Sequence, residues 1–232
     1  MRKMVTIIKP VSQKLSDDPV IMGSEAIQKL LSEYYFETVL DIGCGEGIHS
    51  EIFLQNGKQV TGIDYGRSCY FEKNSGKFNS VIADFNTYEF GLEYDCVWCS
   101  HVLEHQININ AFLKKVFSVL KEGGILALTV PPMKSVIVGG HVSLWNAGLL
   151  MYNLVLAGFN CRNAKVKTYG YNISLIVEKE TIPELPQLHF DAGDIKLLSD
   201  YLPGNLAYME TDLDTPFEGN IVELNWDERS AI

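Results

Sequence analysis

Three acids follow apolar runs at regular intervals in the first third of this 232-residue chain: Asp41, Asp64 and Asp84. The first opens the stretch Asp41-Ile42-Gly43-Cys44-Gly45-Glu46-Gly47. Read physically, a buried strand stops, turns on residues without Cβ atoms and feeds a helix near Ile48. Glycines let the backbone approach a ligand closely, and a helix N-terminus offers unpaired N–H groups and a positive dipole end. Asp64 follows Gly43 at the distance at which an acid accepts hydrogen bonds from ribose hydroxyls. Asp84 is placed to accept from an exocyclic amine, with Phe85 against a purine face. The ligand expected is an adenosine derivative. A dinucleotide would require G-x-G-x-x-G and a pyrophosphate on the helix N-terminus. Asp41 and Glu46 would repel that pyrophosphate and suit a ligand carrying an ammonium and a sulfonium.

A second group of reactive types comes later: Ser100, His101, Glu104 and His105, then His141 in Gly139-Gly140-His141. A histidine among them could act as a general base. The plainer alternative is a structural histidine. Cys96 and Cys99 form a C-x-x-C without a second pair. They sit in an apolar strand where residues three apart face opposite sides, so the expectation is buried small hydrophobes rather than redox or metal chemistry.

Elements of alternating type must position these residues. A helix is expected from Ser24, as N-cap, to Glu33. Strands are expected at 38–42, 59–63, 80–83, 94–100 and 125–130, with helices from Ile48, over 68–74, 109–120 and 144–157. Two last strands, 162–168 and 172–178, read as an antiparallel hairpin about Tyr169-Gly170-Tyr171. Such alternation implies a doubly wound, Rossmann-like parallel sheet with helices on both faces. Ligands then bind beyond the C-terminal strand ends. The division expected is an N-terminal arm and helix (1–36), a core domain (37–180) and an acidic appendage wrapped on it (181–232), with 221–224 an edge strand. Two basic and 11 acidic residues in 181–232 supply −9 of the net −10. The near-neutral core has no basic stripe for nucleic acid. No apolar run approaches the roughly 20 residues of a membrane span, and no signal-peptide pattern follows Met1. The odd cysteine count argues for reduced thiols and a cytoplasmic protein.

The ordered motifs resemble class I S-adenosylmethionine-dependent methyltransferases, in their small-molecule branch. Val39 to Gly47 looks like the first motif, Gly62-Ile63-Asp64 the ribose-binding acid and Ala83-Asp84-Phe85 the adenine side. Cys99 to His105 resembles the fourth-strand motif, and Leu120 to Leu126 the turn before strand five. The resemblance implies a seven-stranded sheet with an antiparallel last strand and S-adenosyl-L-methionine as cofactor. By it, Asp41, Gly43 and Gly45 surround the methionine moiety, Asp64 the ribose, Asp84 and Phe85 the adenine, and Ser100 the methyl end; Cys44, Tyr65 and His101 complete the cofactor set. Some relatives hold a divalent ion with Glu-x-x-Glu-His and a later His. Here His101 replaces the first Glu, leaving His101, Glu104, His105 and His141 as the donors such an ion would find, and no metal is expected. His105 and His141, with His101 behind them, sit where the family's acceptor pocket is expected and are the candidates for a general base. The acceptor expected is a hydroxyl or amine of a small molecule or a sugar, including surface-polysaccharide sugars, bound under a loop at 131–143, with Trp145 available to stack on a sugar. Whether the chain forms a homodimer stays open. A nucleotide-cofactor oxidoreductase of similar fold and a non-catalytic cofactor-binding relative are the competing readings.

Overall fold

The computed structural model describes residues 21–74, 76–211 and 214–227. The arm expected at 1–20 lies outside them. In chain order the elements are α1 (Ser24–Glu33), β1 (Thr38–Ile42), α2 (Ile48–Gln55), β2 (Gln59–Asp64), β3 (Asn79–Ile82), β4 (Tyr94–Ser100), α3 (Ile109–Val119) and β5 (Leu120–Val130). Then follow α4 (Ala147–Leu156), β6 (Lys165–Tyr169), β7 (Asn172–Glu178), the short α5 (Asp194–Leu197) and β8 (Glu223–Leu224).

The strands form one sheet in the order β3-β2-β1-β4-β5-β7-β6-β8. The pairs from β3 to β5 are parallel. β7 runs antiparallel to both β5 and β6, closing the hairpin expected about Tyr169–Asn172. This is the doubly wound architecture expected, with an eighth strand added: Glu223–Leu224 pairs antiparallel with β6. The 221–224 segment thus makes an edge strand, shortened to two residues. The order of strands reverses between β1 and β4, and that reversal opens the crevice at the strand ends.

Two apolar layers cover the sheet, and alternation along each strand decides which layer a side chain joins. Val97 and Cys99 join the larger layer with α3 and α4; Cys96 and Trp98 join the layer under α1 and α2. The cysteines are therefore buried on opposite faces as free thiols, which is the plainer of their two readings. Leu198, Leu202, Leu206 and Leu224 are buried in the larger layer, and the Lys29 ammonium donates to the Trp226 carbonyl from α1. Fully burying such side chains contributes roughly 1.5–3 kcal/mol each.

Local differences from the expected elements have local causes. Gly23, not Ser24, caps α1, with φ 70° and no side-chain cap. A Cβ at Gly23 would stand 3.0 Å from the Trp98 ring, so a side chain there would require the ring to shift. The helix expected over 68–74 shrinks to a single 3₁₀ turn at Phe71–Lys73. The last long helix starts at Ala147, because Asn146 caps it by accepting from the Leu149 N–H at 2.8 Å. That leaves Trp145 before the helix and buried in the larger layer. Its ring cannot stack on a sugar as expected: the core claims it. No helix among the described residues is long and apolar enough to cross a membrane.

Candidate functional site

The glycine-rich turn after β1 is held from inside the protein. The N–H groups of Gly43 and Cys44 both donate to the Ile63 carbonyl, at 2.7 and 3.3 Å, and Gly47 donates to the Cys44 carbonyl at 2.8 Å. Gly45 N–H donates to Asp64 Oδ2 at 3.1 Å. These four amides are therefore not a cradle for a phosphate, which removes one reading of the turn. The glycines are required by conformation and by crowding together. Gly43, Gly45 and Gly47 have φ of 71°, 48° and 87°, a region that disfavours side chains. A Cβ on Gly43 would lie 2.3 Å from Val102, and one on Gly47 2.3 Å from the Phe78 ring. Cys44 turns its side chain inward and is buried, and burial pushes its thiol pKa well up; only its backbone lies at the turn's surface.

Asp41 is buried beneath the turn, and the Ser50 hydroxyl of α2 donates to its Oδ2 at 2.6 Å. Burial, reinforced by the charge of Asp64 and opposed by Ser50, lifts its pKa to about 7. Asp64 ends β2 and also accepts from the Gly66 N–H, at 2.9 Å. It thus ties the turn after β1 to the turn after β2. Asp84 lies past β3; its Oδ1 accepts from the Asn86 N–H at 2.9 Å. The half-exposed Tyr65 hydroxyl lies beside the Asp84 carboxylate and favours its charged form. Burial pulls Asp84 upward, but Asn86 and Tyr65 outweigh it, so the carboxyl titrates below its ordinary value. Phe85 departs from expectation. Its ring is buried between Phe112, 5.2 Å away, and Phe90, 5.9 Å away, so it faces the core rather than a purine. Glu46 pairs with Lys73 at 3.2 Å, which offsets part of the negative charge at the turn.

Beyond β4 the second group of residues comes together. Ser100 Oγ is buried with no hydrogen-bond partner. His101 adopts φ 56°, uncommon outside glycine. Its N–H donates to the Thr129 carbonyl at 2.8 Å. Its ring lies parallel to Tyr171 at 5.9 Å, with Nδ1 3.3 Å from Glu104 Oε1 and Nε2 3.1 Å from Asn172 Oδ1. That Oδ1 also accepts from the Gly23 N–H. Both ring nitrogens therefore face acceptors, which suits a doubly protonated imidazolium. Burial lowers the His101 pKa, but Glu104 and Asn172 reverse it and the net shift is upward.

Glu104 is fully buried; its Oε1 faces His101 Nδ1 at 3.3 Å as an ion pair without hydrogen-bond geometry, and its Oε2 has no hydrogen-bond partner. His101 is its nearest charged neighbour, and His105 Nε2 stands 3.9 Å away. The two candidate bases meet: the rings of His105 and His141 lie 5.0 Å apart, nearly perpendicular. His105 Nδ1 lies 2.8 Å from the Gly140 carbonyl. A carbonyl only accepts, so Nδ1 carries the proton and Nε2 of the neutral ring carries the lone pair. One ligand atom each from Glu104, His105 and His141 lie within 4.8 Å of one another. The loop after β5 lines a small pocket with Lys134, Val136, His141 and the Tyr171 ring, over which the Lys134 ammonium sits at 4.0 Å.

The sequence reading missed Ser50, Lys134 with Tyr171, and Asn172. Asn172 carried a usable signal: a polar residue opening an apolar strand that the structure buries. Its partners, Gly23 and His101, lie 149 and 71 residues away and gave no local cue.

A family model described as a methyltransferase domain matches residues 15–164. A ubiquinone biosynthesis O-methyltransferase of Pseudomonas fluorescens (strain Pf0-1) is 34% identical over 94 residues, covering 37% of this chain and 40% of that protein. The chain thus spans well under half the length of such curated relatives. A SAM dependent methyltransferase from Archaeoglobus fulgidus superposes with a TM-score of 0.58 at 20% identity, covering 68% of this chain and 91% of that one. The 1,6-didemethyltoxoflavin-N1-methyltransferase of Burkholderia thailandensis gives 0.57 at 16%, covering 70% and 79%. These two structures speak to the fold.

Proposed function

The chain belongs to the class I S-adenosylmethionine-dependent methyltransferases, and from that membership we propose that it methylates a hydroxyl of a small molecule with His105 as the base. S-adenosyl-L-methionine supplies the activated methyl group when bound. The acids around the glycine-rich turn fit that cofactor: Glu46, Asp64 and Asp84 make an electronegative rim, and the amides of Gly43, Cys44, Gly45 and Gly47 are already engaged. In this reading Gly43, Cys44 and Gly45 offer a close backbone wall, with Asp41 beneath it. Asp64 takes the ribose hydroxyls, while Asp84, Tyr65 and the Phe85 backbone hold the adenine edge. Ser100 and His101 stand between cofactor and acceptor.

One observation carries the choice of base. The Gly140 carbonyl holds the His105 Nδ1 proton, so Nε2 presents a lone pair beside His141. Displacement at a methyl group is catalysed largely by alignment, and a base is needed as the hydroxyl loses its proton. An oxygen acceptor is favoured over an amine because relatives at 32–34% identity are named O-methyltransferases. The decisive assay is methyl transfer to a panel of small-molecule hydroxyls. In it, His105→Gln lowers kcat by roughly 10²-fold or more, while S-adenosylhomocysteine affinity by calorimetry stays as in wild type. A variant with normal kcat removes His105 from the chemistry.

A second reading rests on Glu104, whose buried oxygens lack hydrogen bonds. With His105 and His141 it would hold a divalent cation, contrary to the sequence expectation of no metal, and the cation would acidify the acceptor hydroxyl. Activity abolished by EDTA and restored by added Mg²⁺ or Zn²⁺ supports this reading; insensitivity to EDTA eliminates it.

A further inference from the structure

Residues 21–23 cross the C-terminal ends of the strands before α1 begins. Ile21 shares a surface groove with Glu46 and Ile48 at the glycine-rich turn. The Met22 carbonyl accepts from the His49 ring at 2.7 Å, in the first turn of α2. Gly23 presses on Trp98 of β4 so closely that a Cβ would not fit without movement. Its N–H donates to Asn172 Oδ1 at 3.0 Å, and one turn into α1 the Ala26 N–H donates to the Tyr169 hydroxyl at 3.3 Å.

Asn172 is 3% exposed. Its Oδ1 is the acceptor for Gly23 N–H and also for His101 Nε2, at 3.1 Å. An amide oxygen has two lone pairs, so these two donors fill it. One belongs to the segment that crosses the glycine-rich turn, the other to the first residue past β4. The two meet at this atom, and both also lie against Thr129, whose carbonyl accepts from the His101 N–H at 2.8 Å.

We propose that Asn172 is a positioning residue that joins the crossing segment 21–23 to His101, so that closure of the segment over the cofactor site and seating of His101 are one event. The proposal rests on the cofactor site being where the preceding section places it. Loss of the Asn172 acceptor releases Gly23, and with it the wall that Ile21 and Met22 form beside Glu46 and His49. Removal of the His101 ring leaves Asn172 Oδ1 with one donor, and Asn172 held only by Gly23 and by its Nδ2 bond to the Tyr169 carbonyl at 3.4 Å, which loosens Gly23 although His101 does not touch it.

The experiment is amide hydrogen exchange on the full-length, cofactor-free protein, read at Gly23 and at Leu30 as an internal control, alongside S-adenosylhomocysteine titration. Asn172→Leu removes the acceptor at similar volume. It is expected to speed Gly23 exchange at least tenfold with Leu30 unchanged, and to weaken S-adenosylhomocysteine by about tenfold. Asn172→Asp keeps oxygens that accept from both donors and is expected to hold both readouts within threefold of wild type. His101→Ala is expected to speed Gly23 exchange severalfold, and the Asn172→Leu/His101→Ala double variant to add little beyond Asn172→Leu. Gly23 exchange unmoved by His101→Ala, or Asn172→Asp behaving as Asn172→Leu does, overturns the proposal. Should Asn172→Leu not fold, His101→Ala and Asn172→Asp decide alone. Because exchange is read without cofactor, its failure is separate from any failure of the methyl-transfer reading.

Discussion

Two halves of the strand-end crevice are built by different means. The half over β1, β2 and β3 uses short-range backbone contacts: Asp64 accepts from Gly45, 19 residues away, and Gly66, two residues away. The half over β4 and β5 is assembled across the chain. Gly140 reaches His105 from 35 residues away, Asn172 reaches His101 from 71 and Gly23 from 149. The first half is a stiff wall of turns that brace one another. The second is a set of side chains held by loops and by the β6–β7 turn, including a buried carboxylate without hydrogen bonds. A cofactor common to a family can be met by a braced wall. An acceptor that differs between relatives is better met by loops, which tolerate change.

The sharpest way to break this contrast is at Asp64. Asp64→Ala removes both the expected ribose acceptor and the bond that braces Gly45. S-adenosylhomocysteine affinity is expected to fall by about 100-fold, equivalent to about 2.7 kcal/mol, and calorimetry reads it. Unchanged affinity would mean that the bracing acid is not the ligand's acid. Next in size is Gly47→Ala. Its left-handed φ and the 2.3 Å approach to Phe78 are expected to cost about 2 kcal/mol of stability in denaturant melts. A full-stability Gly47→Ala protein would show that the wall is softer than its contacts imply.

The smallest effect concerns Asp41 and sharpens the comparison through pH. Its folded pKa, about 7, lies above the ordinary 3.8. A carboxyl raised in the folded state stabilises that state fully below pH 3.8 and loses the contribution as pH climbs through 7. Asp41→Asn keeps the Ser50 hydrogen bond and has no charge to bury. The variant's Tm is expected to gain on wild type progressively between pH 4 and pH 7, reaching about 1–2 kcal/mol of added stability at pH 8. Parallel pH profiles for the two proteins would show that Asp41 is ionised at no cost, and so solvated rather than sealed beneath the turn.

The sequence by itself determined the alternation of strands and helices, the positions of β4 and β7 to the residue, and the acids at 41, 64 and 84. Each of these is written in local pattern: an apolar run, a glycine with positive φ, an acid after a strand. It also brought His105 and His141 forward, by residue type together with their place in the motifs that resemble the family's. Only the tertiary structure decided that their rings meet, which nitrogen of His105 carries the proton, that Trp145 and the Phe85 ring belong to the core, and that Asn172 receives both Gly23 and His101. The reason is physical. A hydrogen bond or ring contact between residues far apart in sequence depends on how the sheet brings strand ends together, and an isolated buried asparagine or tryptophan reads alike whether it serves packing or a site.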